Sequence, residues 1–520
     1  MQMIDTLEYA TDLVKKWGES RLPDGRKLAE TLTIEGIPLW DALSVDLARI
    51  YIPAAISANI SSSKISIMLR PYLIRFKYSL RHFIRNKYNT NGCFSWKTDK
   101  TILCLDFSEH ISRDVLQPLA IGLADHSDYK VVSLSENSWK SKHLFAHQNG
   151  SFQTIWQHWD KQVIKNATKI KKDIRRLERE LLTSNFLMNV IQADNSLLWK
   201  KLEKVFYRFF RSDLPLLASQ AAVAKHILSH HHPSLLISGD VADPRTRIYS
   251  LLCRQMGIPC LEIQFGLVGE EGIEWRFFSS DVLSVWGENS KQVMLKHGVP
   301  EDKIKLTGSP RHDVLVNVSE SEVKSVRTKI GVPENSKMVL LASSYQLNAY
   351  NEYSSPELFS FMKSSIFNAA DRTQGIWLVV KPHPSENVRE TKMLARNKRN
   401  IIFVSKKSDI RELTRICDAF ISFGSTATVD ALIAGKLVIC PVFSGWIWSD
   451  LFKNSRATLL PTSPEEILKI FELIANGHQE ELRLSLETSR QEFLSQWIYK
   501  TNVSATDRIV ELALGMMKSS

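Results

Sequence analysis

The stretch that decides the fold runs Ile376-Trp377-Leu378-Val379-Val380-Lys381-Pro382-His383-Pro384-Ser385-Glu386. It continues through Ile401-Ile402-Phe403-Val404, Asp418-Ala419-Phe420-Ile421-Ser422-Phe423-Gly424-Ser425-Thr426 and Leu437-Val438-Ile439-Cys440. Short apolar runs at 376–380, 401–404, 418–423 and 437–440 are bounded by turn residues and separated by helical patterns, which predicts a parallel sheet covered by helices. Ligands of such sheets bind outside the carboxyl ends of the strands. Two polar clusters stand at ends of that kind: Lys381 to Glu386 after one run, and Gly424-Ser425-Thr426 after another.

Both clusters suit a phosphate-bearing ligand. Gly424 lets the backbone turn sharply out of its strand, and Ser425, Thr426 and Thr428 open a helix whose unpaired N–H groups and positive dipole end favour an anion. Pro382 and Pro384 stiffen the chain on either side of His383, giving the imidazole a fixed place from which to donate to a phosphate oxygen, and Lys381 supplies charge. The plainer readings are a Ser425 that only caps its helix and a His383 that only shapes its turn. Two such strand-end sites in one sheet can converge on one crevice, and this favours the ligand reading.

Lys381-Pro382-His383-Pro384, Phe423-Gly424-Ser425-Thr426 and Ala431-Leu432-Ile433-Ala434-Gly435-Lys436-Leu437-Val438 together resemble the C-terminal half of bacterial GT-B glycosyltransferases of surface polysaccharide synthesis. That group includes capsule Kdo transferases, sialyl- and polysialyltransferases, and teichoic-acid polymerases. Val285-Trp286-Gly287 with Leu306-Thr307-Gly308-Ser309-Pro310-Arg311-His312-Asp313 is similar to the end of the N-terminal domain in the same group, and Phe443-Ser444-Gly445-Trp446 resembles a loop of the Kdo transferases. The resemblance spans residues 235–460. It implies two Rossmann-like domains facing a cleft, an activated sugar held by the C-terminal one, and an acceptor glycan or glycolipid held by the N-terminal one.

A chain of 520 residues, 44% of them hydrophobic, is long for one core and fits two domains plus additions. No apolar run approaches the roughly eighteen residues of a membrane span. The N-terminus carries Asp5 and Glu8 where a signal peptide would be basic, so a cytoplasmic protein is expected. Cys93, Cys104, Cys253, Cys260, Cys417 and Cys440 are scattered without metal-ligand spacing, which predicts reduced core thiols and no metal.

The net charge of +11 is concentrated. Residues 61–100 hold nine Lys or Arg against one acid, and residues 161–180 hold eight against three. In 66–89, Leu73, Phe76, Leu80, Phe83 and Ile84 form a stripe flanked by Arg70, Arg75, Lys77, Arg81 and Arg85. That composition suits either a helix on an anionic membrane surface or an ordinary packed helix with solvated charges. Nothing resembles a nucleic-acid-binding module. The second basic run, 161–179, reads as a solvated helix face.

Taken in order, 1–97 is a helical addition containing the basic segment, and 98–320 is a first Rossmann-like domain with a helical insertion. Residues 321–485 form the nucleotide-sugar domain, and 486–520 form return helices. Strands are expected at 101–106, 129–134, 235–239, 260–265, 282–286, 304–307, 338–342 and 457–460. Ser343 and Ser344, at another strand end, join the donor-binding candidates with Lys381, His383, Pro384, Gly424, Ser425 and Thr426. An inverting transfer needs a group to take the acceptor proton. Glu270-Glu271-Gly272 is similar to the acidic motif of the bacterial sialyltransferases, which makes Glu270 and Glu271 candidates. In the enzymes the chain resembles, the loop after the first strand faces the acceptor, which makes Asp106, Glu109 and His110 candidates for the acceptor side, with His110 also a catalytic candidate. No cofactor is implied, since hydroxyls, a helix dipole and His383 can stabilise a leaving phosphate. Three alternatives stay open: a CDP-linked polyol-phosphate transferase, an isomerase like UDP-N-acetylglucosamine 2-epimerase, and a non-catalytic polysaccharide-binding or export factor.

Overall fold

A computed structural model describes residues 3–56, 100–136, 147–183, 185–194, 198–269, 271–315, 319–344, 356–384, 386–444, 450–500 and 502–518. The basic segment 66–89 and Glu270 lie outside the described residues. The chain divides into two compact units. Unit 1 comprises 1–285, 291–310 and 506–520; unit 2 comprises 286–290 and 311–505.

Unit 1 begins with helices. Helix Met3–Glu19 buries Leu7, Ala10, Leu13, Val14 and Trp17, the three-to-four spacing of one helical face. A two-residue pair, β1 (Thr33–Ile34) and β2 (Ile37–Pro38), follows. The main sheet is built from β3 (Thr101–Leu105), β4 (Lys130–Ser135), β5 (Gly150–Thr154), β6 (Leu235–Ser238), β7 (Cys260–Ile263), β8 (Val282–Val285) and β9 (Ile304–Leu306). Its order is β5-β4-β3-β6-β7-β8-β9, with every neighbouring pair parallel. Strands such as β3 and β6 are buried along their whole length, as sheets covered on both faces require.

Between β5 and β6 lie helices Lys161–Thr183, Phe186–Asp194, Leu198–Arg208 and Leu214–His231. The first buries Val163, Ala167, Ile170, Ile174, Leu177 and Leu181 and exposes Lys161, Lys165, Lys169, Lys172, Arg175, Arg176 and Arg179, so that basic run is a solvated helix face. Aromatic contacts join the insertion to the N-terminal helices: Trp17 packs on Phe206 at 5.8 Å and Trp40 on Phe209 at 6.1 Å. At the far end of the chain, helix Ala505–Lys518 places Ile509, Val510 and Ala513 in the core of β3, β6 and β7.

Unit 2 carries β10 (Lys337–Ala342), β11 (Ile376–Lys381), β12 (Ile401–Phe403), β13 (Ala419–Ser422) and β14 (Leu437–Ile439). Their order is β12-β11-β10-β13-β14, again all parallel. The order reverses between β10 and β13, as it does between β3 and β6 in unit 1. These are the switch points at which open α/β sheets bind ligands. The strand expected at 457–460 is reduced to a single bridge from Leu459 to Ile439. Cys104, Cys253, Cys260, Cys417 and Cys440 are buried free thiols, and among the described residues no helix is long and apolar enough to cross a membrane.

Candidate donor site at the carboxyl edge of unit 2

Strand register brings the two polar clusters level. Ala342 of β10 pairs with Lys381 on one side and with Ser422 on the other. Neighbouring strands lie about 4.8 Å apart, so the turns leaving β11 and β13 start roughly 10 Å from each other with the end of β10 between them. The next residues of all three strands, Pro382-His383, Ser343-Ser344 and Phe423-Gly424-Ser425, share one edge.

At β13 the chain leaves through Gly424, whose φ of 90° lies in the left-handed region that glycine enters without a Cβ penalty. Ser422, which sequence reasoning passed over as a strand residue, organises the turn. Its buried Oγ accepts from the Ser425 backbone N–H at 3.2 Å and from the Thr428 hydroxyl at 2.8 Å, and lies 3.1 Å from Ser425 Oγ. Ser425 occupies the cap position of helix Thr426–Ile433 in an extended conformation, yet its side chain makes no capping hydrogen bond. The plain helix-cap reading of Ser425 therefore does not describe it. Gly424, Ser425 and Thr426 are each half-buried, with surface left for a ligand.

The helix behind this turn is anchored through its second half. Arg311 donates from Nε to both oxygens of the fully buried Asp430, at 2.9 and 3.1 Å, and adds a bond from its Nη2. Arg490 donates to the Leu432 carbonyl at 2.6 Å. Beside Arg311, His312 packs edge-on against Trp286 at 4.6 Å, and burial, aided by the Arg311 charge, pushes its pKa down to about 3. Arg311 of the Gly308-Ser309-Pro310-Arg311-His312-Asp313 motif thus serves to hold the helix.

At β11 the organiser is Glu386. Its carboxylate accepts from the His383 backbone N–H (3.0 Å), the Ser343 hydroxyl (2.7 Å), the Thr391 hydroxyl and the Lys363 ammonium (2.6 Å). Burial pushes this carboxyl up, but Lys363 and the hydroxyls of Thr391 and Ser343 outweigh it and hold it below the usual carboxylate range. Lys363 comes from helix Pro356–Arg372, where it is buried and lies 4.2 Å from the centre of the Phe359 ring. Nothing in the local sequence marks it.

Of the donor-binding candidates, His383 is half-buried on a turn fixed by Glu386, and Pro384 is exposed, its carbonyl accepting from Lys406 at 3.0 Å. Lys381 is buried and donates to the Pro382 carbonyl at 2.8 Å, so its ammonium serves the turn. Ser343 is likewise buried with its hydroxyl committed to Glu386, while Ser344 is half-buried and its carbonyl accepts from Lys363 at 3.0 Å.

The catalytic and acceptor-side candidates lie in unit 1. Glu271 is exposed, its carboxylate folded back against Gly269. His110 is exposed, with Nδ1 3.0 Å from Ser108 Oγ and its ring edge-on to Phe265 at 6.4 Å. Glu109 is exposed as well, whereas Asp106 is fully buried and accepts from the Ser133 hydroxyl at 2.8 Å, tying β3 to β4.

A family model described as CDP-glycerol:poly(glycerophosphate) glycerophosphotransferase matches residues 278–512, a little under half of the chain. That is a transferase family. The chain is an enzyme of transferase type.

Solved structures are similar over most of their length. A Listeria monocytogenes protein assigned as a UDP-N-acetylglucosamine 2-epimerase shares 11% identity, covering 81% of this chain and 98% of its own, with a TM-score of 0.52. The wall teichoic acid polymerase TagF shares 13% identity over 88% of this chain and 99% of its own, with a TM-score of 0.49. The Anabaena protein HepE, solved with UDP and glucose, shares 12% over 81% and 100%, with a TM-score of 0.48. A search of curated proteins found no match. The fold is GT-B: two Rossmann-like domains, here with a helical N-terminal addition.

Proposed function

We propose that the chain moves an activated group from a nucleotide-linked donor to a hydroxyl of a surface-polysaccharide or lipid-linked acceptor, with unit 2 binding the donor. The observation that carries this reading is the level row of strand ends in unit 2. There a glycine turn, a helix N-terminus with hydroxyls and a rigid histidine turn meet at one edge. Dipole, hydroxyls and imidazole stabilise the negative charge that develops on the leaving phosphate. For a nucleotide-sugar donor the reaction is direct displacement with inversion at the anomeric carbon, and needs no metal.

The match over residues 278–512 favours a second donor class. With a CDP-linked polyol, the acceptor oxygen attacks phosphorus, a polyol phosphate is transferred and CMP leaves. The same edge serves both reactions, because both release a phosphate from a nucleotide. Thermal-shift screening of CDP-glycerol against UDP-, GDP- and CMP-linked sugars separates them, since a ligand at a hundred times its Kd stabilises by about 2.7 kcal/mol. Release of CMP from CDP-glycerol identifies the polyol reading, and release of a nucleoside diphosphate identifies transfer from a UDP- or GDP-sugar. Isomerisation of a UDP-sugar with no acceptor present would point to an epimerase, and no nucleotide binding at all would point to a non-catalytic export factor.

The basic segment 66–89 is proposed to hold the enzyme on an anionic membrane surface, where its acceptor would reside. Each Lys or Arg near such a surface contributes about 1 kcal/mol. Wild type should co-sediment with phosphatidylserine vesicles at low salt, and Arg75→Glu with Lys77→Glu and Arg81→Glu should not. Absence of wild-type binding would leave the segment an ordinary packed helix.

A further inference from the structure

Helix Lys161–Thr183 of unit 1 packs one face inward and turns the opposite face to solvent. At about 100° per residue, Lys161, Lys165, Lys172, Arg175 and Arg179 fall within one sector of roughly 80°, and all of them are exposed. They form a row about 27 Å long, with steps of about 5 to 10 Å along the axis between charges. Thr168 lies in the same row, and Arg176 stands just beside it.

The acids of the helix stand off this row, and each is occupied. Asp173 pairs with Arg176 at 3.4 Å, Glu178 with Arg211 at 2.7 Å and Glu180 with Arg26 at 3.9 Å. Lys169, on the flank, pairs with Glu35 at 2.6 Å. Among the described residues Lys161, Lys165, Lys172 and Arg175 have no acid partner. Like charges three or four residues apart repel one another and weaken a helix, as Lys161 with Lys165, Lys172 with Arg175, and Arg175 with Arg179 do here. The buried face of Val163, Ala167, Ile170, Ile174, Leu177 and Leu181 offsets that repulsion. An ordinary solvated face gains by interleaving acids with its bases, and this row interleaves none.

We propose that this row is a docking track for a linear polyanion, an acidic chain of sugar or polyol units held through its repeated charges. The identification of that chain as the acceptor polymer rests on the transferase reading above. Attraction of this kind falls as salt screens the charges. Because each position of the row offers the same charge, the chain can shift along it by one repeat, which suits repeated addition to a growing end.

The shape of the row selects a chain over a bilayer. A helix that lies on a membrane turns its apolar side chains into it. Here the apolar face is buried within the protein, and the outward side carries Ile164, at the margin of the row, as its one exposed large hydrophobic among the described residues. The row is also narrow. Glu35 and Glu180 are exposed along one flank, so a flat anionic surface covering the row would meet like charge there, whereas a single chain passes beside it.

The test uses the full chain and fluorescein-labelled polygalacturonate, a linear carboxylate polymer, with binding followed by anisotropy at low salt. Wild type should bind, and added salt should release the polymer. Linear polyphosphate should compete, and galacturonate monomer should not. Lys161→Gln combined with Lys165→Gln, Lys172→Gln and Arg175→Gln should raise the Kd about tenfold or more without lowering the unfolding temperature. A comparison variant, Arg389→Gln with Lys392→Gln, Arg396→Gln and Arg399→Gln, removes the same charge from exposed residues in and after helix Val388–Leu394 of unit 2, and should bind as wild type does. Equal losses in the two variants, or competition by the monomer, overturn the track. So does binding of wild type through the same four residues to phosphatidylserine vesicles and not to the polymer. A wild type that binds a nucleotide-linked donor but no polymer overturns the track alone, and one that binds the polymer but no donor keeps the track and overturns the transferase reading.

Discussion

The two sheets share their strand order around the switch point, yet their carboxyl edges carry opposite chemistry. In unit 2 the edge at β11, β10 and β13 offers donors: the end of helix Thr426–Ile433, the hydroxyls of Ser425 and Thr426, and the His383 ring. In unit 1 the edge at β4, β3 and β6 is lined by Glu136, Asp243 and Asp240, with Arg245 neutralising only part of that charge. The backbone thus gives both sheets the same platform of strand ends, and a handful of side chains decides the charge that each platform carries. Changes at the unit 2 edge should move nucleotide affinity, whereas changes at the unit 1 edge should leave it unaltered.

The largest effect is expected beneath the unit 2 edge. Asp430→Ala leaves the Arg311 guanidinium buried without its carboxylate, a loss of about 3 to 5 kcal/mol, read as a lower denaturant midpoint. Arg311→Met combined with Asp430→Leu should recover much of that stability. Failure of the double variant to recover would mean that the pair does more than hold the helix.

His383→Ala removes a charge-assisted hydrogen bond worth about 1.5 to 3 kcal/mol, so donor affinity should fall roughly ten- to a hundredfold with the unfolding temperature unchanged. An unaltered donor Kd would remove His383 from the site and erase the contrast between the edges. Glu386→Gln acts one step back, through the turn. Because the folded carboxyl lies below its usual range, its contribution to stability is present above the unfolded value and is lost as pH falls through the folded one. Wild type should lose stability on acidification more steeply than Glu386→Gln, by about 1 to 3 kcal/mol in all. Parallel pH profiles for the two proteins would refute the hub role of Glu386.

How much of this was legible in the sequence depends on how local each signal is. Strands β3, β4 and β6 to β14 are apolar runs between turn residues and lie within a residue or two of their expected bounds. Strand β5, Gly150-Ser151-Phe152-Gln153-Thr154, is a sheet edge with a mixed composition and gave no such run. The expected strand at 457–460 failed for the converse reason: its apolar residues pair with β14 at Leu459 alone. Helix Pro356–Arg372 was overlooked, and with it Lys363, whose ion pair with Glu386 depends on tertiary packing.

Within the site, the turns at His383 and Gly424 were readable because proline and glycine impose backbone geometry wherever they occur. The direction of a side chain was not. Lys381 reads as a free charge and proves to be folded onto its own turn. Ser343 reads as a donor contact and proves to be a brace for Glu386.

The central claim is that both polar clusters of unit 2 grip one nucleotide phosphate group. Its most direct test is a mutant cycle on donor affinity by calorimetry, comparing His383→Ala, the pair Ser425→Ala with Thr426→Ala, and the triple variant. Each hydroxyl contact should be worth about 0.5 to 1.5 kcal/mol, the smallest of these effects. Groups sharing a ligand couple, so the triple variant should lose less than the sum of the separate losses, by at least about 0.5 kcal/mol. Strictly additive losses would mean that the clusters at β11 and β13 do not meet on the same phosphate, and would contradict the account.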